Sequence, residues 1–292
     1  MIILFTNARD EKNMKEWVAH HLLLGFDLIY IFDHKSKIPL DGQFLNFNKI
    51  TQKVIVQRCE LDGPIKDILI SKAANISQQL NADWMLYIDA DEFLVINDDN
   101  VKSVQQILQY YNYADSVSCN WLVFGTNFHE KQPEGLIFDN FIRSDEFLND
   151  HLKTFFRPNQ FLTPNAHRSD IKNPDKAFHF NGTQLNKVFP VYLENKHYIN
   201  PIPYEKAKIF IAHYITQSEE FYISRKLKLP RDDWNTFREP GIILNTQKQI
   251  INESHTIHEE FNDKINTIVR DKYSENIKKF LNSINIENLY SC

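Results

Sequence analysis

Glycine is scarce in this chain of 292 residues, which holds only seven. Neither GxGxxG nor GxxxxGK[ST] occurs. The dinucleotide fingerprint and the P-loop use glycines to bring backbone amides against phosphate, so both readings lose their main support. Cysteine is equally sparse. Cys59, Cys119 and Cys292 are odd in number, widely spaced and without a CxxC. That suits a reducing compartment better than a disulfide framework and offers no zinc motif. No stretch approaches the ~18 apolar residues of a membrane span. The opening MIILFTNARDEKN has too short an apolar run for a secretory leader and no basic residue before it. A long basic tract is also missing and the net charge is −5, which lacks the electrostatic footprint of a nucleic-acid binder. These absences predict a soluble, cytoplasmic protein with no nucleic-acid partner and no transmembrane segment.

What remains is ordinary globular material: 42% hydrophobic and 24% charged residues, with 22 phenylalanines. Met1 to Thr6 is a continuous apolar run, as expected of a strand buried on both faces of a parallel sheet. Met14, Trp17, Val18, His21 and Leu22 follow at helical spacing, with Gly25 as a stop. Strands are expected at 28–32, 54–58 and 84–88, with a helix over 65–80. This alternation predicts an α/β fold with a mainly parallel sheet flanked by helices, and ligands outside the carboxyl ends of the strands. A helix over 101–111 and a strand over 116–121 continue the pattern. Residues 124–207 read as long loops and short antiparallel strands shaping an acceptor pocket, with strands at 153–157 and 208–214. A helix over 219–227 and a helical C-terminal extension complete the reading. The expected division is a main domain at 1–228 and an extension at 229–292.

The sharpest local signal is YIDADEFL, residues 87–94. An apolar strand delivers Asp89 and Asp91 with one residue between them. Oxygen-seeking Mg²⁺ or Mn²⁺ can be held by such a pair against a substrate diphosphate, but a solvated acidic turn gives the same letters. Arg9, Asp10 and Glu11 lie after the first strand and before a helix, where Arg9 and a neighbouring carboxylate contact a nucleotide or Asp10 or Glu11 simply complements the helix dipole. Asp33 ends the second strand, and a ligand contact and an Asx-turn are both open to it. His213 and His167 are candidate additional metal ligands, although a lone histidine is more often a simple hydrogen-bonding residue. Lys153, Arg157, Arg225 and Lys226 are candidates for neutralising phosphate. His20 and His21 read as structural, His21 towards the core.

Together these residues resemble glycosyltransferase family 92 and related family-2-like bacterial enzymes. The resemblance is carried by ARDEKNMKEWVAHHLLLGFDLIYIFDHKS (8–36), IDADEFL (88–94), NWLVFGTN (120–127) and HYITQSEEFYISRK (213–226). It implies a GT-A type fold and transfer of a hexose, with inversion, from a nucleotide-sugar donor, often UDP-galactose. A glycan or glycolipid acceptor and Mn²⁺ (or Mg²⁺) held by the DxD come with it. By position, Asp89 and Asp91 would handle metal and diphosphate, with His213 completing the metal shell. Glu11 and Asp33 would join the nucleotide pocket, and Trp121, Phe124 and Gly125 the sugar site. Asp139, or alternatively Glu130, would be the general base. Gln217 stands where relatives often have Lys, and His34-Lys35 replaces a commoner Asn-Asn turn, which leaves the donor open. A chain beginning at its first strand, rich in Asn, Ile and Lys, suggests a bacterial or large-DNA-virus source. Two other readings stay open: a catalytically silent sugar- or nucleotide-binding module, and a nucleotidyltransferase, for which ARDEKN is a poor phosphate loop.

Overall fold

The structure, a computed structural model, describes residues 1–185, 202–233, 235–237 and 261–286. The first part alternates as the periodicity predicts: β1 (Ile2–Ala8), α1 (Met14–Leu23), β2 (Leu28–His34), α2 (Leu45–Thr51), β3 (Val54–Cys59), α3 (Lys66–Gln79) and β4 (Trp84–Tyr87). Next come β5 (Glu92–Ile96), α4 (Val104–Gln109), β6 (Ser116–Val123), α5 (Ile137–Asn140), β7 (Arg143–Ser144), β8 (Leu152–Phe156) and β9 (Ala177–His179). β10 (Ile209–His213), α6 (Glu219–Phe221), β11 (Lys264–Ile265) and α7 (Ile268–Ile286) end the chain. The expected helix over 219–227 is instead the short α6 continued by a π-helical turn, Tyr222–Leu227.

The main sheet runs β3-β2-β1-β4-β8-β6-β10-β5, with β9 beside β6. It is mainly parallel; β8 and β5 are the antiparallel members. β1 shows why its sequence is continuously apolar. Ile2 and Leu4 enter one core with Trp17 and Val18 of α1, while Ile3 and Phe5 enter the other with Leu69, Ile70 and Ala73 of α3. Val269, Ile277 and Ile284 of α7 are buried in that first core, and β11 pairs with β7. The division at 228/229 is therefore not a division in packing. The rest of the expected extension, residues 234, 238–260 and 287–292, lies outside the described residues.

β5 lies at the sheet edge, and an open edge of unpaired backbone is a liability. Side chains close it. Trp17 Nε1 donates to the Glu92 carbonyl (2.7 Å), and His20 Nε2 bonds the Leu94 carbonyl (2.7 Å). His21 Nε2 accepts from Leu94 N (3.3 Å), and the Tyr273 hydroxyl of α7 takes both Ile96 N (3.0 Å) and Ile96 O (2.9 Å). Both histidines are structural, as their helical placement suggested, and burial pushes the His20 imidazole down to about 4.

This arrangement predicts acid sensitivity. A histidine whose folded pKa is depressed favours the native state fully above its unfolded value of ~6.5, and that contribution disappears as pH falls towards ~4. His20→Gln keeps an Nε2–H donor for Leu94 but cannot titrate. In urea denaturation from pH 7 to 4.5, wild type should lose about 2–3 kcal/mol more than this variant. Parallel pH profiles would rule out His20 as the sensitive group.

Candidate active site

The carboxyl ends of β1, β4, β6 and β10 and the start of β8 surround one cavity of about 520 Å³, a typical size for a small-molecule site. Arg9 and Glu11 reach it from beyond β1, and Trp121 and Val123 from β6. His151, just before β8, and Lys153 of β8 reach it, as does His213 from β10.

Asp89 to Glu92 forms a tight turn in which Glu92 N donates to the Asp89 carbonyl (3.0 Å) and Asp89 N to Glu92 Oε2 (2.9 Å). The antiparallel register sets His213 opposite Glu92, so the end of β10 lies alongside Asp91. Tyr214 N donates to the Asp91 carbonyl (2.9 Å), and His213 Nε2 stands 3.6 Å from Asp91 Oδ1. The strand over Glu92–Ile96 is a feature that the sequence reading missed, because the acidic turn masks the renewed apolar run.

The two aspartates have different partners. Asp89 is gripped by two buried lysines: Lys66 on Oδ1, and Lys153 3.0 Å from Oδ2. Lys153 also donates to the Ala166 carbonyl (3.1 Å) and lies 3.2 Å from Glu92 as an ion pair. Lys66 also donates to Asn7 Oδ1 (2.9 Å). Burial alone would raise the Asp89 carboxyl, but the ammoniums of Lys153 and Lys66 hold it well below the usual range. Asp91 is held by Lys226 on Oδ2 and faces His213 with Oδ1; the Lys226 ammonium and the hydrogen bond with His213 lower its pKa against the pull of burial. Glu11 pairs with Arg225, yet burial still raises its pKa.

A wall of rings completes the cavity. Trp121 stacks on His151 at 4.5 Å and 3°, and touches His167 (5.2 Å) and His213 (4.3 Å). Burial, aided by the neighbouring Lys153 ammonium, pushes His151 down to about 4 and His167 down to about 3. Both are neutral near pH 7. His167 packs in this wall with Nδ1 on the Leu152 carbonyl (3.2 Å), rather than joining the Asp91–His213 pair.

Several expected site residues lie elsewhere. Asp33 is buried and spent on its own loop, accepting from Ser36 N (3.3 Å), Leu40 N (3.1 Å) and Arg58 (3.1 Å). Its carboxylate serves the loop, through Ser36 N and Leu40 N rather than through an Asx-turn. Gly125 is not a cavity residue. A Cβ there would meet Asn262 and the Phe261 carbonyl at 2.6 Å, so glycine permits that close approach. Phe124 is fully buried against Tyr214. Asp139 of α5 pairs with Lys278 of α7 (2.9 Å), and Glu130 is exposed on the loop before α5; neither lines the cavity. Reasoning from sequence also missed Lys66 and Asp232. The Asp232 carbonyl accepts from Ile65 N (2.8 Å) and Lys66 N (3.0 Å) at the start of α3, while its carboxylate takes Asn7 Nδ2 (2.5 Å). No local pattern marks either residue, since both act through contacts distant in sequence.

An α/β domain with an acidic turn, cationic side chains and an aromatic wall at its strand ends has the equipment of a group-transfer enzyme. The model for glycosyltransferase family 92 matches residues 74–281, and the chain belongs to that family. The enzyme class is thereby a glycosyltransferase, with the GT-A type α/β fold that the resemblance implies. The match runs into α7 and so takes in the tail beyond residue 230, which showed no recognisable block. No curated protein matches the sequence. Among solved structures, the chain is similar to S. aureus TarS 1-349 in complex with UDP-GlcNAc, at 12% identity and a TM-score of 0.38, covering 75% of this chain and 60% of that one. TarS 1-349 alone gives 13% and 0.35, covering 55% and 47%, so the chain spans about half of that relative's length. HddC from Yersinia pseudotuberculosis complexed with GMP-PN gives 10% and 0.35, covering 65% and 87%.

Asp33→Ala tests the reassignment of that residue. It leaves two buried amides unpaired, which should cost about 1–3 kcal/mol, with nucleotide affinity unchanged. Because Asp33's folded pKa is lowered, its contribution is present above the unfolded carboxylate pKa and is lost as pH falls through the folded value. Weaker nucleotide binding at unchanged stability would return Asp33 to the site.

Proposed function

We propose that the chain transfers a hexose from a nucleotide-sugar donor to a glycan or glycolipid acceptor. UDP-galactose is the favoured donor, with inversion at the anomeric carbon, as the family resemblance implies. The observation that carries the reading is the Asp89–Asp91 turn, set on the cavity beside His213 and beneath a cluster of lysines and arginines.

Among the described residues, no group of three or more His, Cys, Asp or Glu side chains is arranged to hold a metal. Asp91 Oδ1 and His213 Nε2, 3.6 Å apart, do offer one carboxylate oxygen and one imidazole nitrogen to a shared ion. Mg²⁺-type sites commonly take one or two protein carboxylates and fill the remainder with substrate phosphate and water. Mn²⁺ (or Mg²⁺) therefore fits here as an ion arriving with the donor, held by Asp91 and His213. When bound, it would offset charge on the departing nucleoside diphosphate. Asp89 then serves less as a ligand than as the anchor for Lys66 and Lys153. Lys66 keeps one N–H beyond those on Asp89 and Asn7, and with Arg9 and Arg225 it can bind the diphosphate. The Trp121–His151 wall suits the apolar face of a sugar ring, and neutral imidazoles can exchange hydrogen bonds with its hydroxyls.

Inversion needs a base for the acceptor hydroxyl. With Asp139 and Glu130 outside the cavity, the groups on hand are Glu11, Asp232, Asp233 and the imidazoles of His151 and His167.

UDP-, GDP-, CMP- and ADP-sugars, each with Mn²⁺ and with chelator, should be compared by thermal shift. One nucleotide class should raise Tm only with metal; no shift with any donor would favour a silent binding module. Asp91→Asn should lower kcat on the order of a hundredfold with the fold intact, and wild-type turnover would remove the DxD from the reaction. Asp139→Asn should stay within about twofold of wild type in transfer, as expected for a substitution away from the site. A large loss would restore its role as base.

A further inference from the structure

Lys226 differs from the other lysines around the acidic turn. Lys153 is almost fully buried between Asp89, Glu92 and the Ala166 carbonyl, and Lys66 is 7% exposed and shared between Asp89 and Asn7. The Lys226 side chain is 21% exposed, and its recorded partner is a single oxygen, Asp91 Oδ2. It rides on the π-helical turn Tyr222–Leu227, a geometry that recurs at functional sites. The Asp91 oxygen on the other side faces His213. An ammonium thus sits on the very carboxylate assigned above to a divalent ion.

We infer that Lys226 is a ligand for the donor's diphosphate that holds the cation's place on Asp91 until donor and metal arrive. The inference rests on the reading of this cavity as a donor and metal site. Charge balance is its physical reason. Arg9, Lys66, Lys153, Arg225, Lys226 and Arg231 line the cavity, against Glu11, Asp89, Asp91, Asp232 and Asp233; Glu92, buried behind Lys153, brings the carboxylates level. A site balanced without its ligand has no spare positive charge for a diphosphate. An incoming divalent ion that takes Asp91 frees one ammonium beside the phosphates, and the freed group is the one on a turn at the cavity mouth. An unpaired carboxylate or ammonium in so buried a place is costly, and the exchange leaves neither.

The inference predicts shifts of opposite sign in one variant. Lys226→Met should bind Mn²⁺ alone more tightly, by about threefold or more, because the competing ammonium is gone. The same variant should bind UDP, or GDP if that is the class taken up, about tenfold more weakly at saturating Mn²⁺. Mn²⁺ is read from the free-ion electron paramagnetic resonance signal, and nucleotide binding by calorimetry. Lys228→Met, an exposed neighbour on the same segment, serves as control and should change neither. Unchanged binding of both ligands in Lys226→Met, or weakening of both, overturns the inference while leaving the donor site standing. If wild type binds neither Mn²⁺ with UDP nor Mn²⁺ with GDP, the donor reading fails and the inference falls with it.

Discussion

The edge of β5 is the constraint on which the rest of the site depends. This strand carries the Asp89–Glu92 turn into the sheet, yet among the described residues only β10 pairs with it along the backbone. On its other side, Trp17, His20 and His21 of α1 and Tyr273 of α7 supply the missing donors and acceptors. Buried backbone groups without partners cost as much as lost hydrogen bonds, so β5 is held in register only if all four side chains are present. Register in turn decides which residue of β10 faces the acidic turn. A slip of one residue would carry His213 to the opposite face and replace an imidazole beside Asp91 with an alanine or tyrosine.

That constraint explains why residues far apart in sequence act together. α1 and α7 enclose the chain from its two ends, and both are needed to seal one strand near its middle. The helix that reads as an appendage is therefore part of what fixes the chemistry. α5 points the same way: Glu16 of α1 accepts from Ile137 N (2.7 Å) and Phe138 N (3.1 Å), which ties the start of α5 to α1 and leaves Asp139 facing Lys278.

The parallel half of the sheet was legible from periodicity because its strands are buried on both faces and read as unbroken apolar runs. The acidic turn stood out for a related reason: an apolar run gives way at once to Asp89, Asp91 and Glu92, although a solvated turn would read the same. Asp33 was ambiguous in sequence since a carboxylate at a strand end can serve either a ligand or its own loop, and Arg58 and Leu40, which decide the matter, are distant in sequence. Gly125 misled because its neighbours resemble a sugar-site block, whereas its lack of a side chain answers to Asn262, over a hundred residues on. Lys66 and Asp232 had no signal at all. Their roles come from where α3 begins and where the segment after α6 returns, and neither is a local property.

The DxD pair also shows how identical residue types separate in function by environment. Asp89 is placed between two buried lysines, and removing either would strand a charge; it is a fixed strut. Asp91 has a histidine on one oxygen and a half-exposed lysine on the other, so its partners can change. In a low-dielectric cavity, exchange of one cation for another is cheap only when total charge is conserved throughout. A site built with equal numbers of opposed charges, some immobile and one on a turn at the rim, meets that condition. On the proposed reading, such a site would take up an anionic donor and its counter-ion together more readily than either alone.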